Sequence, residues 1–272
     1  MTLITKIHPN DDMVTDGLEH YFQLGERVVD LITTAAKIAG KKQFYSILDL
    51  PCGYGRVLRH LRARHPDARI VAAELNQEAT HFCAKTFGAE PVYCDPDPSA
   101  ISLTGPFDLI WCGSLLTHLS EEDSLAFLRL FDPALDIHGL LLFTLHGRAM
   151  HVELAKQSGK PAVELMLREL AERGYAFRSS DGRYGGSFST PEWAMRAVRS
   201  FPSWRIIMLS EAAWERHDVI AIQKTRAADY GSGCSAQTFG DGCLRVKASP
   251  FEIGPGLFGK AMRMFRIWSS LG

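Results

Sequence analysis

What this chain of 272 residues lacks is informative. It has no block of like charges, and its 30 basic and 31 acidic side chains leave a formal net charge of −1. No basic stripe therefore advertises a DNA or RNA partner. Long apolar runs are missing too: none approaches the ~20 residues that span a bilayer. Met1-Thr2-Leu3-Ile4-Thr5-Lys6 lacks the long apolar core of a signal peptide. The six cysteines, at 52, 83, 94, 112, 234 and 243, contain no C-x-x-C pair, and four lie in or beside apolar elements. They read as small buried hydrophobes in a reducing compartment, which makes a cytoplasmic protein the expectation. No internal repeat emerges.

What is present is ordinary in bulk and specific in one place. Hydrophobic residues make up 46% and charged residues 22% of the chain, as in a soluble globule. The informative stretch is Phe44-Tyr45-Ser46-Ile47-Leu48-Asp49-Leu50-Pro51-Cys52-Gly53-Tyr54-Gly55-Arg56. The apolar run 44–50 predicts a short buried strand ending in an acid. Two glycines spaced one apart follow, then Arg56-Val57-Leu58-Arg59-His60-Leu61-Arg62. That segment puts Val57, Leu58 and Leu61 on one helical face and the arginines on the others. Strand, glycine turn and helix form the first unit of an open α/β sheet, which binds ligands at the carboxyl ends of its strands. A dinucleotide site would need a third glycine where Leu58 stands, and has no use for an acid at Asp49.

The pattern Asp49-x-Pro51-x-Gly53-x-Gly55 resembles the first motif of class I S-adenosylmethionine-dependent methyltransferases, with Pro51 in place of that motif's first glycine. The resemblance is strongest over residues 44–146. It implies an α/β fold: a doubly wound, seven-stranded, mostly parallel sheet of the Rossmann-like methyltransferase type. The cofactor it implies is S-adenosyl-L-methionine, held at Asp49, Pro51, Gly53, Tyr54 and Gly55. Glu74, with Leu75, closes the second strand (69–73), 25 residues after Asp49, where a carboxylate accepts from both hydroxyls of a ribose. Asp95 follows the third strand (91–94), where related enzymes place an acid against the adenine amino group. Ser114 and Leu115 follow the fourth strand (107–112) as cofactor contacts, and Gly113 with Ser114 would leave room for the methionyl end. The helix over 18–39 covers a sheet face, and its His20-Tyr21-Phe22 segment with Gly25 could form a lid that brings Tyr21 to the ligand.

A helix from Ser120 to Phe131, a turn over 134–139 and a fifth strand over 140–145 continue the pattern. Between 147 and 203 the chain exceeds the single helix that a minimal fold needs. Helices over 161–173 and 191–200 flank a hairpin built from 175–178 and 187–189, an insertion between strands 5 and 6 suited to capping an acceptor. The last two strands are expected at 205–210 and 219–224. A methyltransferase domain over 1–225 is then followed by a linker and an amphipathic tail over 226–272. That tail would suit docking on the domain, joining a partner chain or lying on a membrane surface.

Methyl transfer to oxygen needs a base, and His146 and His118 follow the fifth and fourth strands as candidates. The Asn/Asp-Pro-Pro-aromatic tetrapeptide of base-modifying enzymes is absent, since Cys112-Gly113-Ser114-Leu115 stands there. No acid and histidine spacing matches a metal-dependent catechol enzyme. The expected function is O-methylation of a small molecule or a glycan building block. A nicotinamide-dependent oxidoreductase and a non-catalytic cofactor-binding or docking protein are the alternatives.

Overall fold

A computed structural model describes residues 2–226, apart from the side chain of Asp181. The 226–272 tail expected from sequence, and with it Cys234 and Cys243, lies outside the described residues except for Arg226. Seven strands form one sheet in the order β3-β2-β1-β4-β5-β9-β8. These are β1 (Ser46–Asp49), β2 (Arg69–Glu74), β3 (Glu90–Tyr93), β4 (Phe107–Cys112), β5 (Leu135–Leu145), β8 (Trp204–Trp214) and β9 (His217–Lys224). All neighbours pair parallel except β9, which runs antiparallel to both β5 and β8. The expected Rossmann-like methyltransferase sheet is therefore observed.

The central strands carry apolar residues on consecutive positions because both faces of the sheet are covered. Ile47, Ile70, Ala72, Leu109, Trp111, Leu140 and Leu142 face one core. It is completed by α1 (Leu18–Ile38), α2 (Leu58–Arg64) and α3 (Gln77–Phe87). Their neighbours Leu48, Val71, Ile110, Leu141 and Phe143 face the other, under α4 (Glu121–Ala134) and α7 (Pro191–Arg199). Between β5 and α7 come α5 (Arg148–Ala155), α6 (Pro161–Arg173) and a separate two-stranded sheet of β6 (Tyr175–Asp181) and β7 (Tyr184–Ser189).

Local chemistry sets the ends. Asn76 caps α3 by accepting from the Glu78 and Ala79 amides, and Gly88 closes that helix in the left-handed region. Ser120 caps α4, and Thr190 caps α7 with Pro191 in its first turn.

Several local expectations change. The turn expected over 134–139 is already strand, because β5 begins at Leu135, opposite Phe107, and its register shifts before Leu109 meets Leu140. The α5 helix was not anticipated. Leu18, the first residue of the helix expected to cover a sheet face, is 53% exposed. Two of the three arginines of α2 do not face solvent: Arg59 is 1% exposed and Arg62 is 9%. Arg62 donates to the carbonyls of Pro66, Ala68, Phe87 and Gly88. Arg59 donates to those of Ile4, Lys6 and Gly55. A guanidinium has five donors in a fixed fork, so it can be buried where loops present unpaired carbonyls. Hydrophobic periodicity cannot see that use of arginine.

Candidate active site

The sheet order reverses between β1 and β4, and at such a switch point a crevice opens at the carboxyl edge. Asp49, Glu74, Ser114 and His146 end or follow their strands there, as sequence placed them. His217 joins them from an unexpected direction. Because β9 is antiparallel, its first residue lies at this edge, and His217 pairs in register with Trp214.

The turn after β1 is shaped by its glycines. Gly53 has φ +49° and Gly55 φ +83°, a region that L side chains rarely adopt. A Cβ on Gly55 would strike Phe87 at 2.5 Å, whereas nothing lies within 4 Å of a Cβ on Gly53. Gly55 is thus demanded by packing, and Gly53 borders open space in the cleft. Pro51 stands at the head of the turn with a cis peptide bond. Glu74 spans the gap: Oε2 accepts from the Gly53 amide at 3.1 Å, and Oε1 accepts from Leu75 and Asn76 at 2.7 and 3.1 Å. Leu75 itself is 55% exposed beside this carboxylate.

Asp49 is the most unusual group in the cleft. It is buried, yet among the described residues neither carboxylate oxygen has a hydrogen-bond partner. Burial holds its pKa well above the carboxylate range, and the Glu74 charge adds to this, against a partial offset from Arg56. Two carboxylates and an open glycine thus border one space, and a cationic ligand would relieve both the desolvation and the repulsion. S-adenosylmethionine carries an ammonium and a sulfonium against one carboxylate, so these residues fit it. A pyrophosphate would add repulsion to an uncompensated acid. Asp49→Asn removes an ionisable group whose charged form burial disfavours, so we expect the ligand-free protein to melt at the same or a higher temperature. Affinity for S-adenosylmethionine should weaken by about 1–3 kcal/mol, the scale of a lost charge-assisted hydrogen bond. Calorimetric titration alongside a melting curve reads both effects.

The remaining candidates are placed as follows. Tyr54 donates to Glu78 at 2.7 Å and stacks on His8 at 4.6 Å. The N-terminal residues 4–11 therefore lie along the glycine turn, with Asn10 also donating to Glu78. Nothing in their polar, irregular sequence signalled this. Tyr21 is 1% exposed; its hydroxyl donates to Asp11 at 2.7 Å and accepts from Arg59 at 3.1 Å. The geometry commits it to holding the N-terminal segment. Asp95 is exposed and accepts from the Asp97 amide at 2.8 Å, a local turn. Ser114 is held at φ 60° by its amide, which donates to Thr144 Oγ1 at 2.7 Å. Leu115 is half-buried beside it.

The two candidate bases differ sharply. His146 is buried, with Nδ1 3.0 Å from the Ser187 carbonyl and Nε2 3.2 Å from His217 Nε2. The carbonyl requires Nδ1 to donate, so Nε2 accepts from His217 Nε2–H and both nitrogens are occupied. That leaves His217 Nδ1 as a buried lone pair without a partner among the described residues. Burial and neighbouring His118 lower His146 to about 3, and burial and His146 hold His217 well below its ordinary value. His118 also donates from Nδ1, to the Gly185 carbonyl at 2.8 Å, but its Nε2 has no partner among the described residues. Its ring is half-buried and stacks on Tyr184 at 4.7 Å. Burial lowers its pKa. The β6–β7 hairpin that supplies Gly185 and Tyr184 is pinned by Ser187, which donates to the Leu116 carbonyl, and by Arg183, paired with Asp123.

The buried histidine pair has a thermodynamic consequence. Both are neutral in the folded chain, while in the unfolded chain each binds a proton near pH 6.5. Stability should therefore fall as pH drops below about 6.5, by up to ~1.4 kcal/mol per pH unit for each proton. Urea unfolding between pH 7 and 5 measures this slope, and His217→Phe should flatten it.

The geometry defines a class: an open α/β protein whose switch-point cleft suits a small cationic nucleoside. Residues 47–139 match the family model described as a methyltransferase domain. Those residues carry the methyltransferase domain, and the sheet around them has the Rossmann-like methyltransferase fold. Solved structures share the fold at low identity. An S-adenosylmethionine-dependent methyltransferase from Clostridium acetobutylicum matches with TM-score 0.53 and 14% identity, over 76% of this chain and 92% of that one. The 1,6-didemethyltoxoflavin-N1-methyltransferase of Burkholderia thailandensis gives 0.54 and 14%, over 79% and 82%. Magnesium protoporphyrin IX methyltransferase of Synechocystis gives 0.53 and 12%, over 81% and 90%. No curated protein sequence matches the chain. No helix among the described residues is long and apolar enough to cross a membrane.

Proposed function

We propose that this methyltransferase acts on a hydroxyl of a small molecule or glycan building block, with His118 as general base. The observation that carries the reading is the clamp of His118 Nδ1 by the Gly185 carbonyl, which leaves Nε2 as an unprotonated lone pair at the cleft. When bound, S-adenosylmethionine supplies a methyl group activated by its sulfonium. Asp49 would hold the cofactor's ammonium, Glu74 its ribose hydroxyls and Gly53 the close approach of its backbone. Glu74 would exchange its hold on the Gly53 amide for those hydroxyls, or share it. The exposed Leu75 offers an apolar surface for the adenine.

His118 then takes the proton that an oxygen acceptor must lose, while the stacked Tyr184 and the β6–β7 hairpin keep its ring in place. His146 supports the same loop from beneath, through the Ser187 carbonyl of that hairpin. Residues 147–203 serve as the cap over the acceptor.

Transfer from cofactor labelled in its methyl carbon, followed by carbon NMR of the product, tests the acceptor atom. A methoxy signal is expected, and an N- or C-methyl signal would overturn the oxygen assignment. The base has its own readout. A lowered His118 pKa places the acid limb of the kcat profile below about pH 6.5. The rate should rise through that limb and be flat at neutral pH.

A further inference from the structure

At the amino edge of the sheet, away from the cleft, the ends of α1 and α2 border a cavity of about 430 Å3. Its apolar lining is Ile32, Ala36 and Phe44, the last 3% exposed. Lys37, Lys41, Lys42 and Arg64 form its charged lining. The His65 ring stands edge-on to Phe44 at 5.5 Å, and Lys41 Nζ lies 5.6 Å from the centre of the Phe44 ring. No acidic residue lines the cavity. Among the described residues none of the four cations takes part in an ion pair, although eleven ion pairs occur elsewhere. Asp108, the acid whose field reaches His65, is engaged by the Tyr45 and Ser46 amides at 2.8 and 3.1 Å.

Helix ends account for part of this charge. Lys37 lies in the last turn of α1 and Arg64 in that of α2, where each helix presents roughly half a negative charge. Two such ends offset about one of the four cations and leave a surplus of roughly three. In a chain of net charge −1, that surplus around an apolar-floored hollow is a local field without a counter-charge. The volume lies within the roughly 300–1,000 Å3 of small-molecule sites.

We propose that this cavity binds a small organic anion, a phosphate-type group on a flat apolar body, at a site separate from the methyl-transfer cleft. The charged group would lie among Lys37, Lys41, Lys42 and Arg64, and the body would rest on Phe44, Ile32 and Ala36. Phosphate-type anions suit this lining because several ammonium and guanidinium donors converge on one space. The assignment is independent of the acceptor and of the base.

The test is calorimetric titration of the full chain, saturated with S-adenosylhomocysteine so that the cleft is filled. The probe is 1-naphthyl phosphate, compared with inorganic phosphate (charge without body) and 1-naphthol (body without charge). One naphthyl phosphate should bind per chain, at least about tenfold tighter than either comparison compound, and more weakly as salt rises. Lys41→Glu with Lys42→Glu should weaken it by about tenfold or more, as expected when two of four cations are reversed. If the reversed variant melts early, Lys41→Gln with Lys42→Gln should still weaken binding in the same direction. Equal affinity for naphthyl phosphate and naphthol, indifference to the lysine variants, or no binding at millimolar probe would each overturn the proposal.

Discussion

His118→Gln should lower kcat by about 10²–10⁴-fold, the usual contribution of a positioned general base, with KM for S-adenosylmethionine nearly unchanged. Glutamine keeps an N–H that can reach the Gly185 carbonyl, so the hairpin contact made by Nδ1 at 2.8 Å has a replacement. What it lacks is a basic lone pair where His118 Nε2 stands. A base acts in the transition state and not in cofactor recognition, so the loss belongs in kcat. The acid limb of the pH profile should vanish with the ring. The comparison is His146→Gln. Both nitrogens of His146 are already engaged, with Ser187 and His217, so this change should act through stability more than through the chemical step. If His118→Gln turns over within about threefold of the parent, far short of a general-base effect, His118 is not the base.

The second large effect is at the glycine turn. Gly53→Val should abolish measurable S-adenosylmethionine binding while circular dichroism remains close to that of the parent. Two causes act together. At φ +49° a β-branched residue is strained by at least the ~1–2 kcal/mol that any L side chain pays in this region, and its methyl groups would enter the open space beside Asp49 and Glu74. Gly88 provides the control. It too has positive φ, +64°, with nothing within 4 Å of a built Cβ, but it closes α3 away from the cleft. Gly88→Val should therefore cost stability without costing cofactor affinity. Parallel calorimetry and melting curves separate the two cases, and equal cofactor affinity in the Gly53 variant and the parent would remove this turn from the site.

Much of the architecture was legible because its causes are local. Burial on both faces of the sheet leaves continuous apolar runs at 70–73, 109–112 and 140–143, and capping residues mark where helices begin. The spacing Asp49, Gly53, Gly55 carried the resemblance to a methyltransferase domain because a backbone that turns so sharply at positive φ needs glycine. Asn76, Ser120, Thr190 and Gly88 each announce a helix end through a hydrogen bond or backbone angle confined to a few residues.

Other features depend on partners far along the chain. That Arg59 and Arg62 are buried follows from carbonyls at Ile4, Lys6, Phe87 and Gly88, which sequence periodicity does not reveal. That His217 belongs to the cleft follows from β9 running backwards, which brings the start of a strand to the edge where other strands end. His146 and His118 look alike in sequence, each following a parallel strand. Only the packed structure gives one of them two partners and the other one. The sequence by itself thus determined the sheet and the glycine turn, because each rests on short-range backbone and burial rules. Among the described residues, the free lone pair of His118, the unpartnered carboxyl of Asp49 and the unpaired cations around Phe44 were decided by tertiary structure, because a polar group's state depends on what surrounds it in space.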